Sequence, residues 1–232
     1  MKFSHAIIDK KNTGVIPVIP DIKCVSPQHG DLLRGRCPVA TAMLLKNAGA
    51  PAISVVTEAK DFCGSLELLR SVSEATGLPI LRKDFVTCVD DLKISIDHGA
   101  AAILLMCATQ TERSLFELYE ASLALGLEPL VETHTLDEMR LATKLGATLV
   151  GINTRDILRL ERDDGTVANT RNLAEFAPEN AVLISESGIH TPSEARQAIA
   201  SGADAVLVGT ALWQAEDMAA FYRELSEPEH EA

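Results

Sequence analysis

The sequence is short of positive charge. Its 232 residues carry 33 acidic side chains against 21 basic ones, a formal net charge of −12, and that balance opposes sequence-independent attachment to DNA or to anionic lipid. Nucleic acid and membranes are therefore not expected as partners. An anionic small molecule is still allowed, because helix N-termini and two or three local bases can override the global sign. Long hydrophobic runs are missing too. Nothing approaches the roughly 20 apolar residues that span a bilayer, and Met1-Lys2-Phe3-Ser4-His5 is followed by only a short apolar stretch, so the expectation is a soluble, unprocessed chain. The five cysteines, Cys24, Cys37, Cys63, Cys88 and Cys107, are odd in number and form no CxxC pair, which argues against a disulfide framework and for reduced thiols in a cytoplasmic protein. The six histidines form no HxH or HExxH group, so no metal is expected.

What is present is ordinary globular material. Hydrophobic residues make up 47% and charged ones 23%, enough for a sizeable core and incompatible with disorder or a collagen-like fibre. Short β-branched runs alternate with longer amphipathic stretches: 15–19, 52–56, 79–81, 102–106, 129–131, 148–152, 182–184 and 205–208. Their starts are about 27 residues apart on average, room for a strand, a helix and two connections. Four helical stretches end in Gly-Ala just before a strand, at Gly49, Gly99, Gly146 and Gly202, where glycine suits a left-handed helix cap. The runs are apolar on both faces, as in a parallel sheet covered by helices. Eight such units close into a single-domain α/β (β/α)8 TIM barrel, with a doubly wound open sheet as the alternative. Two segments break the pattern. Thr154 to Thr170 is charged, contains Asp163-Asp164-Gly165 and reads as a loop, and the tail from Ser226 reads as a frayed end.

In such a barrel the chemistry lies where the strands run out. Following the apolar runs in order are Asp21, Lys23 and Ser26-Pro27, then Thr57-Glu58, Lys83-Asp84-Phe85, Cys107, Glu132, Asn153 and Arg155, Glu186-Ser187-Gly188, and Gly209-Thr210. Each has a bland reading. Lys83-Asp84 could be a structural ion pair, Glu58 and Glu132 solvated loop carboxylates, Asp21 and Asn153 turn caps, and Cys107 a small core residue. The coincidence of two lysines, an arginine and several carboxylates at equivalent positions of separate units favours a shared site. Ser187-Gly188 and Gly209-Thr210 add small-residue turns in the seventh and eighth units, where this fold commonly cradles phosphate on free backbone N–H groups.

These residues resemble the indole-3-glycerol phosphate synthase family of tryptophan biosynthesis. The resemblance rests on Lys23 with Ser26-Pro27 and Gly30, on Ser54 to Glu58 leading to Phe62 and Gly64-Ser65, on Leu81-Arg82-Lys83-Asp84-Phe85, and on Glu132. It continues through Gly151-Ile152-Asn153-Thr154-Arg155-Asp156, Ser185 to Ile189 and Val208 to Leu212. It implies a (β/α)8 barrel that uses no cofactor or metal and converts 1-(2-carboxyphenylamino)-1-deoxyribulose 5-phosphate to indole-3-glycerol phosphate, a carboxy-lyase reaction. By the same resemblance Lys83 would be the general acid, with Glu132, Lys23 and Asp21 as further catalytic groups. Asn153, Arg155, Glu186, Ser187, Phe85 and Glu58 would contact the substrate, and Ser26, Gly188, Gly209 and Thr210 would hold its phosphate.

The chain departs from the family pattern in three places. Asp21 stands where the family has a glutamate, one methylene longer, and Cys24 where it has a second base. Only about fourteen residues precede the first apolar run, where the family commonly carries a longer helical segment that helps cover the site. Pro20 precedes Asp21, and Gln28-His29 replace small and basic residues of the phosphate-side loop. The alternatives are a diverged paralogue that acts on or binds another phosphorylated sugar adduct, and a phosphoribosylanthranilate isomerase-like enzyme. Monomer and homodimer are both left open.

Overall fold

The computed structural model describes residues 1–154 and 168–228. An N-terminal helix α1 (Phe3–Lys11) leads into strand β1 (Val18–Ile22), followed by a small hairpin of β2 (Val25–Ser26) and β3 (Gly30–Asp31). Strands β4 (Ile53–Val56), β5 (Ile80–Lys83), β6 (Ala102–Met106), β7 (Glu128–Thr133), β8 (Leu149–Asn153), β9 (Val182–Glu186) and β10 (Ala205–Val208) follow in chain order. Between and after them run α2 (Pro38–Ala48), α3 (Leu66–Thr76), α4 (Val89–Asp97), α5 (Glu112–Ala124), α6 (Leu136–Leu145), α7 (Ala168–Ala174), α8 (Pro192–Ala200), α9 (Thr210–Gln214) and α10 (Met218–Ser226). Strand β1 pairs in parallel with both β10 and β4, which closes the eight-stranded sheet into a barrel.

Local chemistry places the helix ends. Thr135 and Thr191 accept from the N–H three residues on while Glu138 and Glu194 reach back, two capping boxes that start α6 and α8. Gly49 and Gly146 take left-handed backbone at the ends of α2 and α6, and Gly99 and Gly202 do so one residue beyond the caps of α4 and α8.

Strand parity divides the core in two. Ile19, Leu81, Leu104, Leu130, Ile184 and Leu207 belong to one buried cluster, whereas their sequence neighbours Val18, Ile80, Ile103, Val131, Leu183 and Val206 pack in clusters that include the helices. Because side chains alternate across a strand, the residues two positions beyond the inner layer also face inward. Those are Asp21, Lys83, Met106, Glu132, Glu186 and Gly209, so a hydrophobic plug carries a mostly polar layer on its C-terminal side.

Several boundaries differ from expectation, in one direction. The first strand is Val18–Ile22 rather than 15–19, and β5, β7, β8 and β9 run on through Lys83, Glu132, Asn153 and Glu186. The reactive residues are therefore the last rungs of strands and not the loops after them. Ladder pairing carries the backbone to the mouth whatever the polarity of the side chain, as in Met106↔Glu132 and Asn153↔Glu186. The stretch expected as a loop up to Thr170 includes the start of α7 at Ala168, while the turn at Asp163-Asp164-Gly165 lies outside the described residues. The last unit carries two helices, α9 and α10, and Trp213 is 2% exposed inside α9.

The short N-terminal segment is helical, but it serves the other end of the barrel. Phe3 and Ile7 are fully buried among Ala52, Ala102, Leu149, Val182 and Ala205, which lie at or beside the strand starts, and the Ser4 N–H donates to Glu128, the first residue of β7, at 3.1 Å. It floors the barrel. Among the described residues, no helix is long and apolar enough to cross a membrane.

Candidate active site

Lys83 ends β5 with its ammonium pointing across the barrel axis. Its Nζ lies 2.6 Å from Glu186 Oε2 and 3.6 Å from Glu132 Oε2. The bland reading of a Lys83–Asp84 ion pair fails, because Asp84 turns away to Arg82, at 2.8 Å. The Thr57 hydroxyl and the Phe85 N–H also donate to Asp84, at 2.6 and 2.8 Å. Arg82 is held in turn by Thr57, the Asp91 carbonyl and the Ser95 hydroxyl. Neighbouring residues of β5 thus point to opposite faces, with Arg82–Asp84 clamping the strand end from behind and Lys83 facing the site.

Burial alone would lower the Lys83 pKa. The charges of Glu186, Glu132 and Asp21, with the hydrogen bond to Glu186, outweigh it and raise the pKa above the ordinary lysine value, so the ammonium stays protonated. For Glu186 burial wins: desolvation pushes the carboxyl up to about 7 against the pull of Lys83, with the charge of Glu132 acting in the same upward direction. Glu132 is fully buried and its Oε2 accepts from Asn153 Nδ2 at 3.1 Å.

Gly151 explains part of the Gly-Ile-Asn signature. A Cβ at this position would stand 2.1 Å from Glu186 Oε1, so glycine leaves the space that this carboxylate occupies beneath Lys83. Asp21 is anchored by the Ser54 hydroxyl at 2.6 Å, and its carbonyl accepts from the Trp213 indole at 2.9 Å. Lys23 is buried, with its Nζ 5.8 Å from the centre of the Phe62 ring.

Two adjoining hollows meet at Lys83. One is polar and lined by Asp21, Lys23, Ser187, Gly188, Gly209 and Thr210. Ser187 and Gly188 both have positive φ, 67° and 65°, and a left-handed serine costs about 1–2 kcal/mol, a strain that concentrates at functional turns. The Thr210 hydroxyl, which lines this hollow, and the Ser26 hydroxyl are buried with no hydrogen-bond partner among the described residues, an arrangement that suits an oxyanion arriving from outside. The other hollow is mostly apolar, lined by Val56, Phe62, Phe85, Leu104 and Met106, with Glu58, Asp84, Glu132 and Asn153. Phe85 is 38% exposed at its rim. The Glu58 carboxylate is taken up by the N–H groups of Lys60, Asp61 and Phe62, at 2.7 to 3.1 Å, so it shapes the wall of this hollow.

The structure therefore brings Asp21, Lys23, Lys83, Glu132, Asn153 and Glu186 to one mouth, with Ser187, Gly188, Gly209 and Thr210 on one side and Phe85 on the other. Arg155 lies outside the described residues. Cys107 is buried in the core cluster that includes the helices, as a small core residue would be, and burial pushes its thiol up to about 12. The sequence named Gly151 only as part of a signature and gave it no role; its signal was a glycine inside a strand. Ser54, Thr57 and Arg82 were likewise named without a role, because their partners lie on other elements. Among the described residues no group of three or more His, Cys, Asp or Glu side chains could hold a metal ion.

The family model for indole-3-glycerol phosphate synthase matches residues 1–225. A protein of that name from Pyrococcus furiosus is 43% identical over 220 residues, covering 95% of this chain and 94% of its own length. One from Listeria monocytogenes is 39% identical over 203 residues, covering 88% and 79%. Among solved structures, a thiamine phosphate pyrophosphorylase from Pyrococcus furiosus superposes with a TM-score of 0.64 at 18% identity, covering 90% of this chain and 93% of its own. An N-acetylmannosamine-6-phosphate 2-epimerase from Clostridium perfringens gives 0.67 at 19% identity, covering 84% and 86%. At that identity the two structures show the fold alone.

Proposed function

The chain belongs to the indole-3-glycerol phosphate synthase family, and from that premise we propose how its residues divide the work of closing an indole ring. The activity is that of a carboxy-lyase: 1-(2-carboxyphenylamino)-1-deoxyribulose 5-phosphate loses carbon dioxide and water and becomes indole-3-glycerol phosphate. The observation that carries the assignment of roles is the place of the Lys83 ammonium, between two buried carboxylates and on the seam of a polar and an apolar hollow.

The substrate has the same two-sided character. Its aryl ring takes the apolar hollow beside Phe62, Phe85, Leu104 and Met106. Its phosphate takes Ser26, Gly188, Gly209 and Thr210, whose hydroxyls and backbone N–H groups donate to the anion. Its ketone then falls at the seam. The ring carbon that bears the carboxylate attacks the ketone carbon, a carbon-carbon bond forms, and the carbonyl electron pair moves onto oxygen, which takes a proton from Lys83. The bond to the carboxylate breaks, carbon dioxide leaves, and the electrons of that bond restore the aromatic ring. In the dehydration Glu132 takes a proton from the intermediate, while the hydroxyl leaves as water with a proton from Lys23. Two protons are given and one taken, so one comes from solvent per turnover. Glu186 holds Lys83 protonated and aimed, Asn153 orients Glu132, and Asp21 adds negative charge near both lysines.

Lys83→Ala tests this division. A general acid contributes about 10²–10⁴-fold, so turnover should fall at least a hundredfold while a phosphate ester still competes for the polar hollow at near wild-type affinity. Turnover within tenfold of wild type would remove Lys83 from the role.

A further inference from the structure

We infer that His134 is a positioning residue for Glu132, an imidazole bracketed by two carboxylates that fixes which oxygen of Glu132 meets Lys83 and the substrate. The inference rests on the base role given to Glu132 above. His134 directly follows the last residue of β7, and its backbone is fixed at both ends. Its N–H donates to Glu138 Oε2 at 2.6 Å, and its carbonyl accepts from Asn169 Nδ2 at 3.1 Å. The ring is 13% exposed, with Nε2 3.7 Å from Glu132 Oε1 and Nδ1 3.4 Å from Glu138 Oε2.

Glu132 divides its two oxygens. Oε2 accepts from Asn153 and faces Lys83, whereas Oε1 is buried with no hydrogen bond among the described residues and has the His134 ring as a neighbour. A carboxylate with one oxygen held and the other unsupported can rotate its proton-accepting lone pair out of line. The His134 ring, whose two nitrogens are likewise buried without a hydrogen bond among the described residues, stands between that oxygen at 3.7 Å and Glu138 at 3.4 Å, and as a cation it opposes that freedom by charge.

The charged groups that act on the ring among the described residues are Glu132 on β7, Glu138 on α6 and Glu186 on β9. Helix α7 contributes the neutral Asn169. Cys107, whose Sγ lies 4.0 Å from the Glu138 carbonyl, is a neutral thiol. Burial alone would lower the imidazole pKa, but the three carboxylates outweigh it and raise it. Among the described residues these three charges are negative, and together they favour the imidazolium.

The pH dependence of kcat and KM for His134→Gln tests the inference. The expected result is a kcat lower by about tenfold or more, within the 10²-fold that a misplacement of about 1 Å can produce, with KM within about twofold. The wild-type profile should fall on its alkaline side as the imidazolium is lost, and His134→Gln should lack that step. Glu138→Gln, which keeps an acceptor for the His134 N–H, should move the step to lower pH. An unchanged kcat, or the wild-type alkaline step persisting at the same pH in His134→Gln, would overturn the inference. Should that variant not fold, the ring nitrogens of His134 in the wild-type protein can be read by NMR: imidazolium at pH 7 supports the inference and a neutral ring refutes it. Glu132→Gln separates the two layers of the argument. An inactive Glu132→Gln beside an unaffected His134→Gln fails the inference alone, whereas an active Glu132→Gln fails the base role and the inference with it.

Discussion

Adding one methyl group beneath the site should damage catalysis more than stability. In Gly151→Ala the new Cβ would stand 2.1 Å from Glu186 Oε1, 3.2 Å from its Cδ and 3.6 Å from Leu130 Cδ1. Ordinary contact begins near 3.4 Å, so the carboxylate must retreat by about 1 Å, and the 2.6 Å bond from Lys83 Nζ to Glu186 Oε2 goes with it. The barrel around it is packed: Leu130 and Ile184 are fully buried, which leaves rotation of the Glu186 side chain as the cheapest relief. Such overpacking costs about 1–3 kcal/mol, a fall in Tm of about 2–4 °C per kcal/mol in a chain of this size. Displacement of a catalytic support by about 1 Å costs on the order of 10²-fold in rate. The assay is indole fluorescence on turnover, read as kcat and KM separately, beside a thermal melt. The reasoning predicts kcat down about a hundredfold, KM within a few-fold and a folded protein. Wild-type kcat in a folded Gly151→Ala would refute it, because Glu186 would then have no need of the position in which it holds Lys83.

Three further outcomes follow from the same geometry. Ser26→Ala and Thr210→Val each remove a hydroxyl meant for the phosphate, and a hydrogen bond to a charged group is worth about 1.5–3 kcal/mol. KM should therefore rise about tenfold or more with kcat nearly unchanged. The unliganded Tm should hold or rise, since each change deletes a buried hydroxyl without a partner. Glu186, raised from an ordinary 4.5 to about 7, contributes stability that is complete below 4.5 and lost as pH rises through about 7. The difference in urea midpoint between wild type and Glu186→Gln should shift across that window and level off above it, and a pH-independent difference would contradict the assignment.

The barrel was legible because eight apolar runs at unit spacing leave few other ways to bury two-faced strands. Strand ends were not. Lys83, Glu132, Asn153 and Glu186 read as loop residues by polarity, yet each closes a ladder, since at the C-terminal mouth the inward position is where a polar side chain belongs. The site was visible as a set of residue types at equivalent positions, and its internal connections were hidden. That Lys83 pairs with Glu186 and not with adjacent Asp84 follows from strand parity, which places residues 83 and 84 on opposite faces. That Glu58 caps its own loop depends on three N–H groups converging on it. His134 had no signal in the chain, because a histidine directly after a strand is common and its meaning comes from Glu132 and Glu138 on either side. The departure at Asp21 has a local support in the Ser54 hydroxyl, which anchors the shortened carboxylate on β4.

The most direct measurement is turnover by the wild-type protein itself. Purified protein is mixed with 1-(2-carboxyphenylamino)-1-deoxyribulose 5-phosphate, and indole fluorescence and released carbon dioxide are followed together. The account predicts one carbon dioxide for each indole-3-glycerol phosphate formed, at a rate within the ordinary enzymatic range of about 1–10³ s⁻¹. Tight binding of a substrate analogue in the mouth with no indole formed would contradict it, and would leave these residues as the binding site of a different phosphorylated ligand.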